Sequence, residues 1–192
     1  MAKQINWSTI YKSFSASTTS LDCGTLCAQN NRGVPVCCSN LLHVPLLFKD
    51  ELQWHRKNKT ALWKKRISRT KLDKKQEAEC PDYLVYCHCS GARDCTRSNR
   101  SLTCRFFPFE PYISESGVLI GITYMYRAKK DCPIIDNPSI QVSKSYIKQA
   151  IKTWKLVFEQ FPEEFDLYYE NSQLLQRSFK RKKQILKVFA VS

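Results

Sequence analysis

The sequence is poor in glycine and lacks the short motifs of the common nucleotide and metalloprotease sites. Five glycines occur in 192 residues, and none of them belongs to a G-x-G-x-x-G fingerprint or a P-loop. A nucleotide site built on a glycine-rich loop is therefore not expected. No H-E-x-x-H motif is present, so the pattern of the zinc metalloproteases is also missing.

Long apolar runs are also missing. No run approaches the roughly 20 residues that cross a bilayer, so we expect no transmembrane segment. The first residues, "MAKQINWSTIYKSFSAST", have neither the continuous apolar stretch nor the small-residue cleavage site of a secretory signal. We therefore expect a cytoplasmic protein, in which thiols are held reduced. A hydrophobic content of 43% is too high for a disordered chain, and the length suits one domain.

Acidic residues are scarce relative to basic ones. The chain has 31 Lys and Arg against 17 Asp and Glu, a formal net charge of +14. This excess favours an anionic partner, either nucleic acid or an acidic protein, although a solvated basic surface is the simpler interpretation. The candidate anion-binding residues are the basic residues of the C-terminal third, namely Lys144, Lys148, Lys152, Lys180, Arg181, Lys182 and Lys183.

The C-terminal third has the most regular pattern. Apolar residues from Ile147 to Phe161 recur at helical spacing, and Pro162 followed by acidic residues suits the start of a second helix. We therefore predict an amphipathic helical pair. The segment "FFPFEPYISESGVLIGITYMY" predicts a β-hairpin from about Phe106 to Tyr126, because β-branched and aromatic runs flank a Ser-Glu-Ser-Gly turn.

The N-terminal part gives weaker signals. We predict a short helix around Trp7 to Phe14, a loop over the cysteine-rich residues 22–39, one or two helices within residues 44–68, and a surface connection over residues 69–79. The expected fold is mainly α with a small β-hairpin. We expect a cysteine-cluster metal-binding region over residues 1–140 and a helical pair over residues 141–192 packed on it, together forming one domain.

Ten cysteines are the most unusual feature of the composition. In a chain without a secretory signal they indicate metal binding, with disulfides or redox switching as the alternative. No C-x-x-C occurs, which excludes paired zinc knuckles and the thioredoxin motif. Adjacent Cys37 and Cys38 have side chains that point apart, so they suit a polynuclear cluster or two metal centres better than one ion. His88, between Cys87 and Cys89, is either a mixed ligand or a structural histidine.

The cysteine motifs resemble a known family. "DCGTLC" followed by "CC", then "CSGARDC", "NRSLTCRFFPF" and "DCP", is similar to the CxxCxxCC or YkgJ-like cysteine-cluster proteins, a family described as zinc- or iron-chelating domains. The pattern extends from Asp22 to Pro133. It differs from the family by the insertion "AQNNRGVPV" after Cys27 and by Ser101, where the family usually has proline. The resemblance implies eight metal ligands and leaves Cys80 and Cys87 as extra cysteines; the eight are Cys23, Cys27, Cys37, Cys38, Cys89, Cys95, Cys104 and Cys132.

Residues beside the cysteines suggest how such a site is tuned. Phe107 and its aromatic neighbours are expected to limit the access of water and oxygen, with ordinary core packing as the alternative. Arg100 or Arg105 is expected to donate hydrogen bonds to thiolate sulfur and to offset its negative charge.

The sequence therefore predicts a metal-binding protein with a structural or redox role, in which an iron–sulfur cluster is preferred to Zn²⁺. One alternative is a zinc-stabilised basic module that binds nucleic acid or an acidic protein. The flagellin lysine methylases carry a related cysteine-cluster segment, so by analogy another alternative is a cluster-dependent protein-modifying enzyme such as a methylase. The sequence leaves open whether the protein is an enzyme.

Overall fold

The computed structural model describes residues 5–21, 23–39, 44–58, 62–130 and 132–190. The chain forms two compact units, one of Gly24–Arg105 and one of Met1–Cys23 with Phe106–Ser192. This division differs from the expected boundary near residue 140, because the hairpin segment groups with the C-terminal helices. The described residues form eight α-helices and two three-stranded antiparallel sheets, which confirms a mainly α fold with a small β component.

The unit Gly24–Arg105 is built around a short sheet of strand order β1-β3-β2. Leu47 of β1 faces Val85 of β3, and Trp63 of β2 faces Cys89 at the end of β3. The strands are β1 (Leu46–Phe48), β2 (Trp63–Lys65) and β3 (Leu84–Cys89), and the helices are α2 (Cys23–Ala28), α3 (Lys49–Lys57), α4 (Lys71–Ala78) and α5 (Leu102–Phe106).

Several sequence-based expectations for this unit are wrong. Cysteine-rich residues 22–39 are not all loop, since α2 and a 3₁₀ turn (Val36–Cys38) form there. Trp63 lies in a strand and not in a helix, because its neighbours pair with β3. The connection expected over residues 69–79 forms α4, whose start is capped: Asp73 N donates to Thr70 Oγ1 and Thr70 N donates to Asp73 Oδ2, each at 3.0 Å.

The core of this unit is small and lies on one face of β3. Val85 and Cys87 alternate with more exposed residues along the strand, as expected for a sheet with one buried face. They pack with residues of β1, α3 and β2, and Cys89, Cys95 and Cys104 pack against this cluster from its edge. The buried members of the cluster are Leu47, Leu52, Leu62, Trp63, Val85 and Cys87. Three of the predicted metal ligands therefore sit at the border of the hydrophobic core.

The second unit contains the predicted hairpin and the helical pair. The hairpin is confirmed as β4 (Phe109–Ile113) and β5 (Leu119–Tyr124), and β6 (Val188–Phe189) adds a third strand beside β5. The helices are α1 (Trp7–Ser13), α6 (Pro133–Asp136), α7 (Lys144–Gln160) and α8 (Pro162–Arg181). Both the predicted N-terminal helix and the predicted C-terminal pair are therefore present.

Aromatic contacts hold α7 and α8 together. The ring of Trp154 lies 4.7 Å from that of Tyr168, and the ring of Phe158 lies 5.4 Å from that of Phe165. Ile147, Ala150, Trp154 and Val157 are buried, as the apolar spacing predicted. In the described part of the chain, none of the helices combines the length and apolar character that crossing a membrane requires.

Candidate metal centre

Five of the eight predicted ligands line one cavity in the unit Gly24–Arg105. The cavity has a volume of about 40 Å³, and its wall includes the thiols of Cys37, Cys38, Cys89, Cys95 and Cys104 together with Arg100. Pro45, Leu62, Trp63 and Gly91 complete the lining. No disulfide joins the nine cysteines whose side chains are described. The structure thus brings together thiols that are up to 67 residues apart in the chain (Cys37 to Cys104).

Four separate segments deliver these side chains. Cys37 and Cys38 end the 3₁₀ turn Val36–Cys38, and Cys89 is the last residue of β3. Cys95 follows a second 3₁₀ turn (Ala92–Asp94), whereas Cys104 lies inside α5. Short turns and strand ends allow thiols to converge because a longer helix or strand would fix the direction of each side chain by its own period.

Gly91 makes the sharp change of direction between Cys89 and Cys95. Its φ of +105° belongs to a region that other residues adopt only with strain. Just before it, Ser90 N donates to the Leu62 carbonyl oxygen at 2.9 Å, which ties the end of β3 to the segment that leads into β2. A glycine is therefore required here for the chain to return Cys95 to the cavity.

Buried charged residues fasten the segments that carry Cys95, Arg100 and Cys104. Glu51 is fully buried on α3, where its carboxylate accepts hydrogen bonds from Leu102 N at 2.6 Å and Phe48 N at 3.2 Å. Arg105, 2% exposed, donates from Nε to the Arg100 carbonyl at 3.2 Å and from Nη2 to the Ser98 carbonyl at 3.0 Å. Arg105 thus holds the backbone beside the cavity, and of the two arginines expected to donate to sulfur it is Arg100 whose pKa reflects a hydrogen bond to Cys95.

Ser101 and Trp63 provide two further constraints. Cys104 N donates to Ser101 Oγ at 3.3 Å, so Ser101 caps the start of α5 in the manner of an N-cap residue. Trp63 Nε1 donates to the Asn99 carbonyl at 2.8 Å, which places the indole against the loop before Arg100. Both contacts orient groups that line the cavity.

One thiol of the cavity is acidified. A hydrogen bond from Cys37 lowers the pKa of Cys38 to about 7, helped by the positive charge of Arg100 and opposed by burial. Burial by itself would lower the pKa of Arg100. A hydrogen bond to Cys95 and the charges of Cys95, Cys37 and Cys38 outweigh that effect and raise the pKa of Arg100. At neutral pH, Cys38 therefore has substantial thiolate character beside a permanent cation.

Two other thiols of the cavity, those of Cys89 and Cys104, have raised pKa values. Burial raises the pKa of Cys104 to about 12, and the neighbouring Cys89, Cys38 and Cys95 add to this. Burial also raises the pKa of Cys89, with further contributions from Cys38 and Cys95. These mutual effects show that Cys38, Cys89, Cys95 and Cys104 are electrostatic neighbours.

The donor set suits a thiophilic metal. Thiolate sulfur favours Zn²⁺ and iron–sulfur clusters over Mg²⁺ or Ca²⁺. Among the described residues, however, no three His, Cys, Asp or Glu side chains lie in an arrangement that holds a metal ion. The five thiols share a cavity without forming a ligand set among the described residues.

Of the remaining predicted ligands, Cys27 and Cys132 are not among the described residues that line this cavity. Cys27 accepts a hydrogen bond from Val36 N at 3.4 Å, next to the turn that carries Cys37. Cys132 lies in the other compact unit, where its charge helps burial to raise the pKa of Tyr124 to about 12. The side chain of Cys23 lies outside the described residues.

The cysteines that the family pattern left over also lie elsewhere. Cys87 is fully buried in the hydrophobic core, where burial raises the pKa of its thiol to about 12. His88 is exposed on the other face of β3, opposite Lys64 of β2. Cys80 contributes to the raised pKa of Tyr86, and neither it nor His88 is part of the cavity lining.

The apolar wall of the cavity comes from residues that sequence reasoning missed. Leu62 and Trp63 supply it, whereas Phe107 does not line the cavity. Phe106 stacks on Trp154 at 4.4 Å and Phe109 on Tyr124 at 4.9 Å, in the core of the other unit. The alternative of core packing for these aromatics is therefore the correct one. Pairing of Trp63 with Cys89 across the sheet was not visible in the sequence because the two are 26 residues apart.

The candidate anion-binding lysines lie on the surface of the second unit. Lys144, Lys148, Lys152 and Lys155 are all exposed on α7, and the ion pairs found among the described residues include none of them. Trp154 is buried, so it does not stack on a nucleic-acid base. At the end of α8, Lys182 Nζ donates to the Tyr126 hydroxyl at 3.0 Å, while Lys180, Arg181 and Lys183 are exposed.

Neither a family model, nor a curated protein, nor a solved structure matches this chain. The resemblance to the cysteine-cluster family therefore stays a prediction, and the functional argument depends on the cavity alone.

Proposed function

We propose that the protein binds a metal through thiolates of the cavity. The observation that carries this proposal is the convergence of five cysteines from four separate segments on one space of about 40 Å³. Buried free cysteines usually behave as small apolar residues, and five around one cavity far exceed what packing requires. Arg100 offsets part of the negative charge that several thiolates would bring.

The volume favours a single Zn²⁺ over the iron–sulfur cluster that the adjacent cysteines suggested. A water molecule needs about 10–15 Å³ of such space, so 40 Å³ accommodates one ion more readily than a cluster with its inorganic sulfides. Four thiolates complete the tetrahedral shell that zinc prefers. We assign them to Cys38, Cys89, Cys95 and Cys104, because these four influence one another electrostatically.

Cys37 then has a different task from its neighbour. Its thiol donates a hydrogen bond to Cys38, and such a contact from outside the ligand shell tunes a metal-bound thiolate. This arrangement also resolves the difficulty of the adjacent pair, since only one of the two needs to reach the ion. Zinc binding would release the protons of Cys89 and Cys104, whose thiols are neutral without it.

Elemental analysis of the full chain, purified without oxygen or chelator, tests this proposal. We expect one zinc per chain, which is lost in Cys104→Ser and Cys95→Ser and retained in the matched controls Cys80→Ser and Cys132→Ser. Iron with acid-labile sulfide would overturn the assignment of zinc while supporting a metal–thiolate site. If the purified wild-type chain contained no metal and were nevertheless stably folded, the whole proposal would be overturned.

We propose a second binding surface for nucleic-acid phosphates on the exposed lysine row of α7. The row is Lys144, Lys148, Lys152 and Lys155, and like charges four residues apart destabilise a helix unless something neutralises them. Anisotropy of a labelled single-stranded oligonucleotide should show affinity that falls steeply with salt and weakens in Lys148→Gln/Lys152→Gln. The control is Lys71→Gln/Lys74→Gln on α4. Equal weakening in both double variants, or no binding at low salt, would contradict a specific row.

A further inference from the structure

A groove in the second unit has the features of a small-molecule site and is unrelated to the thiol cavity. It lies between β4, the segment after β5 and α8, and its volume is about 620 Å³. Ligand sites in proteins typically measure about 300–1,000 Å³. Its wall is largely apolar, with Met125, Leu167, Leu174 and Leu175 among the lining residues. Leu167 and Leu174 are 48% and 58% exposed, so water now covers surface that an apolar group would fill.

Three polar side chains that line this groove make no hydrogen bond or ion pair within the described part of the chain. The Glu110 carboxyl, the Arg127 guanidinium and the Asn171 amide all line it. The hydrogen bonds and ion pairs among the described residues include none of these three groups. Arg127 is exposed and Glu110 and Asn171 are half-buried, so a ligand in the groove can reach all three polar groups.

Glu110 and Arg127 provide opposite charges at one site. Burial raises the pKa of Glu110 to about 7, while the charge of Arg127 acts in the opposite direction. The guanidinium is thus near enough to influence the carboxyl, yet the two form no ion pair among the described contacts. A ligand with a single charge would satisfy one of them and leave the other facing it. A ligand with adjacent positive and negative groups would satisfy both.

We propose that this groove binds a free apolar α-amino acid. Its ammonium group donates to the Glu110 carboxylate, its carboxylate accepts from the Arg127 guanidinium, and its side chain covers Leu167 and Leu174. Asn171, which offers both a donor and an acceptor, is available to either charged group. Binding is a simple association and requires no chemical step.

Titration calorimetry of the full chain with L-leucine and L-phenylalanine tests the proposal. We expect saturable one-to-one binding of both. N-acetyl-L-leucine lacks the ammonium group and L-leucinamide lacks the carboxylate, so each should bind about tenfold more weakly or worse, as the loss of one charge-assisted hydrogen bond implies. No saturation by either amino acid at millimolar concentration would overturn the proposal. An analogue that binds as tightly as L-leucine would overturn its zwitterionic basis.

Two variants test the contacts of Glu110 and Arg127 separately. Glu110→Gln should weaken the binding of L-leucine and L-leucinamide about tenfold and leave that of N-acetyl-L-leucine unchanged. Arg127→Gln should weaken the binding of L-leucine and N-acetyl-L-leucine about tenfold and leave that of L-leucinamide unchanged. Wild-type affinity for L-leucine in both variants would contradict the assigned contacts. Because the analogue series uses the unmodified chain, the proposal stays falsifiable even if a variant folds poorly.

Discussion

Arg105 shows how a single buried residue prepares the thiol cavity without lining it. Its guanidinium bonds the carbonyl oxygens of Ser98 and Arg100, and its charge helps burial to depress the pKa of His55. The loop that it fastens carries Arg100 and lies between Cys95 and Cys104. Arg105 is thus an anchor for the backbone beside the cavity.

Replacing Arg105 should therefore damage both stability and metal binding. Arg105→Met leaves the carbonyl groups of Ser98 and Arg100 without their donor, at a cost of about 1–3 kcal/mol in the free energy of unfolding. Urea denaturation measures this loss, and competition with a chromophoric chelator measures the accompanying fall in zinc affinity. The matched control Arg93→Met removes an exposed arginine of the same segment and should change neither. Equal effects of the two variants would contradict the anchoring role.

His55 makes a second prediction at the residue scale, through pH. It is fully buried on α3, and burial, followed by the charge of Arg105, lowers its pKa from 6.5 to about 4. The folded state therefore keeps the imidazole neutral, while the unfolded state binds a proton as the pH falls below 6.5. Stability is fully present above pH 6.5 and falls by up to about 1.4 kcal/mol per pH unit until pH approaches 4.

The variant His55→Leu isolates the effect of the histidine on stability, because any loss of metal at acid pH would affect the variant and the parent chain equally. Chemical denaturation between pH 7 and pH 4 should show a shallower decline for His55→Leu than for the parent chain. An identical slope would show that His55 titrates normally. The exposed His88 supplies the control variant His88→Leu, which should keep the parent slope.

Among the elements, α7 and α8 depend on aromatic packing more than on their charges. Trp154 is 5% exposed and contacts the rings of both Phe106 and Tyr168. Trp154→Ala should lower the free energy of unfolding by about 3–5 kcal/mol through the cavity it leaves. Ile185→Ala, at a residue 94% exposed, should change it by less than about 0.5 kcal/mol. Thermal or urea unfolding compares the two, and similar losses would contradict the packing described.

The elements that sequence predicted well are those whose signals are local. The apolar spacing from Ile147 to Val157 and the Ser-Glu-Ser-Gly turn each specify an element within one stretch of chain. Helix α4 was missed even though Thr70 and Asp73 form a capping box, because its exposed residues give no apolar face. The strands β1 and β2 have three residues each, too few for a period to be seen, and only pairing with β3 defines them.

The sequence indicated that the candidate site consists of cysteines, but it did not indicate which cysteines belong to it. The density of cysteines predicted a metal site, and five of the predicted ligands share a cavity. The placement of Cys132 in the other unit and of Cys87 in the hydrophobic core depends on long-range contacts that no spacing encodes. The same holds for Trp63, whose part in the wall follows from its pairing with Cys89.

For the whole molecule, a metal bound in the thiol cavity should stabilise one of the two compact units and not the other. The thiol cavity belongs entirely to the unit Gly24–Arg105, whose apolar core is small. A structural metal supplies folding free energy to the unit that holds it. Chelation should therefore increase amide hydrogen exchange in β3, α5 and the turns that carry the cysteines. Exchange in α7 and α8 should stay within about twofold of the untreated chain. If chelation left the amide hydrogen exchange of β3, α5 and these turns unchanged, a structural role for the metal would be contradicted.

The central claim is that thiolates from distant segments meet around one ion. X-ray absorption at the zinc edge of the purified full chain tests it most directly. The account predicts four sulfur neighbours at about 2.3 Å in the wild-type chain, and no bound zinc in Cys104→Ser. A zinc shell dominated by nitrogen or oxygen, or the absence of any zinc signal, would contradict it.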